Sequence, residues 1–474
     1  MNQKTDHPAY RVTGDLELDQ NPLTSHLCPL PEDEKEAYGR LQLRLQMDVT
    51  DREKPNSLRR RRIRTLGRFF VPADPVHARA LIEIGSNVID SYIHRNPLMP
   101  NGQMMLHGRK PPMNFRPAIS LITGHSGMGK STLMDRILEA IGPQVTRHAA
   151  FAGQPFPESQ ILWLRRNVPP RCTVSRLCQT FGRYTDQILE YPAYDTAFMK
   201  LRPRAGGEDV YLAEISKIIR AHHVGALVLD EFQNLSLLGS GAKYIIALLV
   251  NLRDELGVPI VLVGTNKSLE LLEGNFSPAR RLAEGGYFEL VRPNAAGDPV
   301  WQSTCKRAWQ YQWVKNPTEF SDEVCEKLYD VSQGITGVML TAFQHAQLMA
   351  IEHESETVTA DLIQAAFDER MQPLHQSIRA MRSGDPNLMA QWDDLTRNFW
   401  PKERQDADPA TSSATSQIET EDSAAIQVQE TFVKKSAPSH KKSVDRVATL
   451  TPEQLRAQVI DGSSMADIIR ILEG

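Results

Sequence analysis

Residues 118–141 read AISLITGHSGMGKSTLMDRILEAI. A short apolar run leads into Gly124, His125, Ser126, Gly127, Met128, Gly129, Lys130 and Ser131, which fit the pattern GxxxxGK[ST], and an amphipathic run follows at once. A strand before the pattern and a helix after it are the flanks that a phosphate-binding loop requires. Glycines let backbone N–H groups curl around phosphate oxygens, and the start of a helix adds positive potential. In this pattern Lys130 reaches the outer phosphates, the Ser131 hydroxyl ligates Mg²⁺, and residues 124–132, ending at Thr132, cradle ATP. ATP and Mg²⁺ are therefore the predicted cofactors.

Working outward, short apolar runs recur at 118–123, 161–164, 226–230 and 259–265, with helical spacing between them at 130–141, 173–189, 208–222 and 242–256. Buried strands separated by helices predict an α/β domain with a mainly parallel sheet. A further helix is expected over 74–94, with Asp74 as N-cap before Pro75, and 302–392 reads as helical without another strand. The run 225–231, GALVLDE, ends in two carboxylates. In a P-loop protein the first, Asp230, holds Mg²⁺, and the second, Glu231, is placed to orient or deprotonate the attacking water.

The chain has 474 residues, enough for two to four domains. Its 54 Lys and Arg against 58 Asp and Glu exclude a polycation, so any nucleic-acid contact must come from local patches. Five scattered cysteines, with no CxxC pair, support neither a disulfide framework nor a zinc site. No signal-like N-terminus and no apolar run of membrane-spanning length is visible, which predicts a cytoplasmic protein without a membrane partner.

The order of P-loop, GALVLDEFQNL (225–235), VPIVLVGT (258–265), SPARR (277–281) and a long helical region resembles the AAA+ ATPases of the TnsC/TniB family, regulators of heteromeric cut-and-paste transposons, some of them CRISPR-associated. The stretches 254–281, 328–351 and 366–386 are similar to the family's sensor-to-arginine segment, its lid and the part after the lid. YRVTGDLELDQNPL (10–23) and RIRTLGRFFVPAD (62–74) resemble its N-terminal part, so the likeness covers about residues 8–395. It implies an AAA+ domain with a parallel sheet flanked by helices and followed by a helical lid, between an N-terminal extension and a C-terminal tail. It implies Thr265 or Asn266 as the polar sensor and Arg280 or Arg281 as an arginine supplied to a neighbouring subunit. It also implies a protein that assembles with itself as rings or filaments on double-stranded DNA, links a target-selection protein to transposase subunits, and disassembles when ATP is hydrolysed. The chain departs from the expected pattern in two respects. Asn266 follows Thr265 where Pro is expected. GITGVML (334–340) has no basic residue where a lid arginine often stands.

For duplex phosphates, Arg165, Arg166, Arg171, Thr173 and Arg176 in LRRNVPPRCTVSRLCQTF (164–181) and Lys243 in LLGSGAKYII (237–246) are the candidates, at strand ends and on the loops that leave them. The LRRRRIR block (58–64) is a supplementary candidate for DNA or an acidic partner. The expected division is an N-terminal extension with its basic segment (1–73), the ATPase domain (74–300), lid and following helices (301–400), a flexible linker (401–448) and a partner-docking tail (449–474). Two other classes fit the nucleotide motifs. One is a nucleotide switch that never touches DNA, which ATP-dependent DNA binding would exclude. The other is a loader motor, which fast DNA-stimulated turnover would reveal.

Overall fold

The computed structural model describes residues 8–70, 74–109, 116–170, 172–201, 209–238, 240–272, 280, 284–389 and 392. Five strands form the central sheet: β1 (Ile119–Gly124), β2 (Trp163–Asn167), β3 (Ala226–Asp230), β4 (Ile260–Val263) and β5 (Tyr287–Leu290). Their spatial order is β2-β3-β4-β1-β5, and every adjacent pair is parallel. Strands β1, β3 and β4 are buried along their whole length, as a parallel sheet covered on both faces requires. Strand β5 was not expected. It is four residues long, with a partly exposed Glu289, and is too short to stand out by periodicity.

Alternation along the strands feeds two cores. Leu227 and Leu229 of β3 join Leu121 and Leu262 on one face, under α5 (Val174–Leu189), α6 (Asp209–Ala221) and α7 (Ser240–Leu256). Ala226 and Val228 join Ile122, Val261 and Phe288 on the other, under α1 (Glu34–Leu41), α3 (Pro75–His94) and α4 (Lys130–Ile141). Helix α3 begins as expected. The Asp74 carboxylate accepts the Val76 N–H at 2.8 Å, and Pro75 occupies the first turn, where no N–H is needed.

A third core is made by helices α8 (Pro299–Trp309), α9 (Asp322–Ser332), α10 (Thr336–Glu352), α11 (Ala360–Arg370) and α12 (His375–Ser383), with Trp301, Trp313 and Phe343 at its centre. Ile63, Leu66 and Phe69, from helix α2 (Asn56–Ile63) and the turn after it, are part of this lid core. Leu23, Leu27 and Leu41 belong instead to the α3–α4 core. The N-terminal segment is thus packed into both the sheet domain and the helical region after it. No helix of the described residues is long and apolar enough to cross a membrane.

Candidate nucleotide site

The P-loop joins β1 to α4. Gly124, Gly127 and Gly129 have φ of 147°, 83° and 83°, a region that only glycine enters readily. A Cβ at Gly124 would lie 2.6 Å from the Leu290 carbonyl, and one at Gly127 would lie 2.9 Å from Ile335. The loop therefore needs glycine both for its curl and for its neighbours. His125 is buried, Ser126 and Ser131 are exposed, and Met128 is half-buried between the lid and α3–α4 cores. The Lys130 ammonium, nearly buried, donates to the Gly124 carbonyl at 3.0 Å and the His125 carbonyl at 2.8 Å, and so spans the loop.

Residues 99 positions apart meet at the end of β3. The Ser131 hydroxyl donates to Asp230 Oδ2 at 2.8 Å. A hydroxyl and a carboxylate side by side are the oxygen donors that Mg²⁺ takes from a protein when phosphate oxygens and water complete its shell. Glu231 follows with φ 56°, strained for a side-chain-bearing residue, and its N–H donates to Asp230 Oδ1 at 2.8 Å. This turn sends the two carboxylates apart: Asp230 is 4% exposed, whereas Glu231 is exposed. At the end of β4, Thr265 and Asn266 are buried, and Thr265 Oγ1 and Asn266 Oδ1 have no hydrogen-bond partner among the described residues. Buried polar atoms are normally satisfied, so such a pair beside the P-loop fits a phosphate or water partner.

A cavity of about 260 Å³ adjoins the loop, walled by Phe70, His77, Met128, Leu290, Trp301 and Leu340, with Thr132 and Gly337 at its edge. Its walls are mainly apolar, as those of small-molecule sites usually are. The Phe70 ring comes within 3.5 Å of a Cβ built on Gly129. Burial pushes His77 down to about 4, so its ring is neutral at pH 7. Apart from Met128, a P-loop residue, these wall residues were not singled out in the sequence. Phe70 and His77 lie more than 45 positions from the P-loop, the first in the stretch 62–74 of the N-terminal extension and the second in the helix expected over 74–94. The lid closes on the loop through backbone: Gly337 N–H donates to the Gly127 carbonyl at 2.9 Å. A Cβ at Gly337 would be 3.0 Å from that oxygen, a tight contact for any side chain at this point.

The structure separates the basic candidates. Arg165 does not face outward. Its guanidinium is 2.6 Å from Asp230 Oδ2 and also pairs with Asp135 on α4. Arg166 stacks over the Tyr184 ring at 4.9 Å. Arg59, from the 58–64 block, is fully buried against Glu356 at 2.6 Å and the Trp313 carbonyl at 3.2 Å, which removes it from any DNA surface, whereas Arg61, Arg62, Arg64 and Arg68 stay exposed. Thr173 and Arg176 are exposed at the start of α5, where Thr173 Oγ1 caps the helix by accepting the Arg176 N–H at 3.2 Å. Lys243 is carried by α7. Arg280 is exposed, 4.0 Å from Glu284. Arg171, Arg281, the linker and the tail lie outside the described residues.

Residues 113–272 match the model of a family described as an AAA domain, a kind of module that in general hydrolyses nucleotide. No curated protein matches the chain. Among solved structures, it is similar to the Aeropyrum pernix ORC2 protein in ADPNP–ADP complexes, with 16% identity over 61% of this chain and 68% of that one and a TM-score of 0.39. It is similar to Cdc6p from Pyrobaculum aerophilum, with 15% identity over 63% and 69% and a TM-score of 0.40. It is also similar to the Thermotoga maritima RuvB Holliday junction branch migration motor, with 15% identity over 61% and 77% and a TM-score of 0.32. With its five parallel strands flanked by helices and a helical region after them, the chain has the AAA+ P-loop fold, and residues 113–272 match the AAA domain model.

Proposed function

We propose that this protein is an ATP-dependent regulator of DNA transposition that assembles on duplex DNA, connects a target-selection protein to the transposase, and comes apart as ATP is hydrolysed. The transposition part rests on the resemblance of residues 8–395 to TnsC. The DNA part rests on one geometric observation. Strand β2 carries Arg165, which contacts Asp230, and the segment leaving the same strand presents Thr173 and Arg176 exposed at the start of α5. A helix start with a hydroxyl and a guanidinium suits a DNA phosphate, and the strand ties it to the nucleotide site.

In this reading Gly124–Thr132 hold the phosphates of ATP, with Lys130 against the outer ones. Ser131 and Asp230 would hold Mg²⁺, which would withdraw charge from the phosphates. Glu231 takes a proton from the attacking water, and Thr265 and Asn266 orient it. Arg280, or Arg281, acts on a neighbouring subunit. Arg171, Thr173, Arg176 and Lys243 repeat along the DNA as subunits assemble, and the tail at 449–474 engages the transposase.

Duplex binding measured by anisotropy on two unrelated sequences, across a salt series, with ADP or a non-hydrolysable ATP analogue, tests it. Affinity should require the ATP analogue, be equal on both sequences, and fall with salt at a log–log slope of roughly 0.9 per phosphate neutralised. Arg176→Ala should weaken both sequences alike while nucleotide binding persists, and Lys130→Ala should abolish both. Binding indifferent to ATP, or confined to one sequence, rejects the proposal.

A further inference from the structure

We infer that Gln233 is a positioning residue for hydrolysis, a bridge whose amide holds the Glu231 carboxylate in register with the end of strand β4. The inference rests on the reading of Glu231 as the group that accepts the water's proton.

Gln233 lies in the 3-10 turn Phe232–Leu238, which is pinned to the sheet by the buried Phe232 and Leu235. Its Oε1 accepts the Thr265 N–H at 3.1 Å, and its Nε2 donates to Glu231 Oε2. The orientation of the amide is forced by chemistry. The Thr265 N–H can only donate and an ionised carboxylate can only accept, so the oxygen must face β4 and the nitrogen must face Glu231. Space for the bridge comes from Gly264. A Cβ there would lie 2.8 Å from Gln233 Oε1 and 2.1 Å from Ser268 Oγ.

Glu231 needs such a partner. Its side chain is exposed, and its backbone sits at φ 56°. A free glutamate on such a turn samples many rotamers, and holding one of them costs side-chain entropy. The amide restricts it, holding one carboxylate oxygen toward Gln233. When water attacks the γ-phosphorus, its proton passes to this carboxylate, and the bond to the β-phosphate oxygen breaks with its electron pair leaving on ADP. Because the other end of the bridge is the Thr265 backbone, a shift of the β4 end moves the carboxylate with it.

The test compares Gln233→Met, which keeps volume and loses both hydrogen bonds, and Gln233→Glu, which sets a second charge beside the first, with Glu231→Gln as reference. ATP turnover, KM, ADP affinity and thermal stability are measured for each. Gln233→Met should lower kcat about 10- to 100-fold, part of the roughly 10²–10⁴-fold worth of a general base, with ADP affinity within about twofold. Its KM should stay within about twofold, so the loss falls on kcat. Gln233→Glu should be slower still. A residue of merely structural importance would lower thermal stability and ADP affinity along with kcat. If Glu231→Gln is inactive while Gln233→Met keeps wild-type turnover, the bridge is rejected and the role of Glu231 survives. If Glu231→Gln turns over normally, both fall.

Discussion

The guanidinium of Arg165 lies 2.6 Å from Asp230 Oδ2, the same oxygen that accepts the Ser131 hydroxyl at 2.8 Å. A nearly buried carboxylate oxygen is shared between the residue proposed to help it hold Mg²⁺ and a cation that would compete for it.

Arg165→Ala should therefore act in two directions. Without its counter-ion the buried Asp230 destabilises the fold by roughly 3 kcal/mol, visible as a lower Tm in calorimetry. The Mg²⁺ concentration needed for half-maximal binding of a fluorescent ADP should fall, since the guanidinium no longer competes. A higher Mg²⁺ requirement in the variant would mean that Arg165 helps to assemble the metal site.

The pair Arg59–Glu356 fastens α2 to the lid. Hydrogen bonds from the Arg59 guanidinium, against the opposing effect of burial, hold Glu356 below its ordinary value of 4.5. The folded form thus binds its proton less readily than the unfolded chain. This contribution is fully present above the unfolded value and is lost as pH falls through the depressed one. Glu356→Gln leaves a buried guanidinium without a charge partner and should cost roughly 3–5 kcal/mol at pH 7, read as a lower urea midpoint. Equal stability of variant and wild type at pH 7 would show that the pair contributes nothing.

His26 is packed against His148, with ring centroids 5.1 Å apart, and is within 3.2 Å of the Thr146 hydroxyl. Burial first, and then the neighbouring His148, push it down to about 4 from an ordinary 6.5. Between those two values the unfolded chain binds a proton that the folded one refuses, so stability rises with pH across that window and is complete above 6.5. At pH 5 the loss should be about 2 kcal/mol from this residue alone. Unfolding free energies from pH 7.5 to 5 should fall in the wild type and fall less in His26→Gln. Parallel slopes would remove His26 from the account.

Gly337→Arg, which restores the basic residue expected of a lid, should not improve nucleotide sensing. The first side-chain carbon already meets the Gly127 carbonyl at 3.0 Å. Overpacking of this kind costs about 1–3 kcal/mol, and displacing the lid from the P-loop should weaken ATP binding roughly tenfold. Tighter binding by the variant would show that the lid has room for such a residue.

Much of the fold was legible because its signals are local. Helix α4 was expected at 130–141 and spans Lys130–Ile141, and α7, expected at 242–256, spans Ser240–Leu256. Periodicity and the glycine spacing of the P-loop lie within one or two turns of chain, and so does the run of apolar residues ending in Asp230 and Glu231. The bridging role of Gln233 was not legible. Its meaning depends on Thr265, 32 positions away on another strand.

The sequence alone determined the P-loop, the carboxylate pair and the alternation of buried strands with helices, since each is written in neighbouring residues. Only the tertiary structure decided which arginines are free. Arg59 looks the same in the chain as Arg61, yet one is sealed against Glu356, 297 positions away, and the other meets solvent. Arg165 and Arg176 share one basic stretch, yet the first is held by Asp230 and the second stands at the mouth of α5. A charge acquires its role from the partner that folding brings to it, and that partner is not encoded near it.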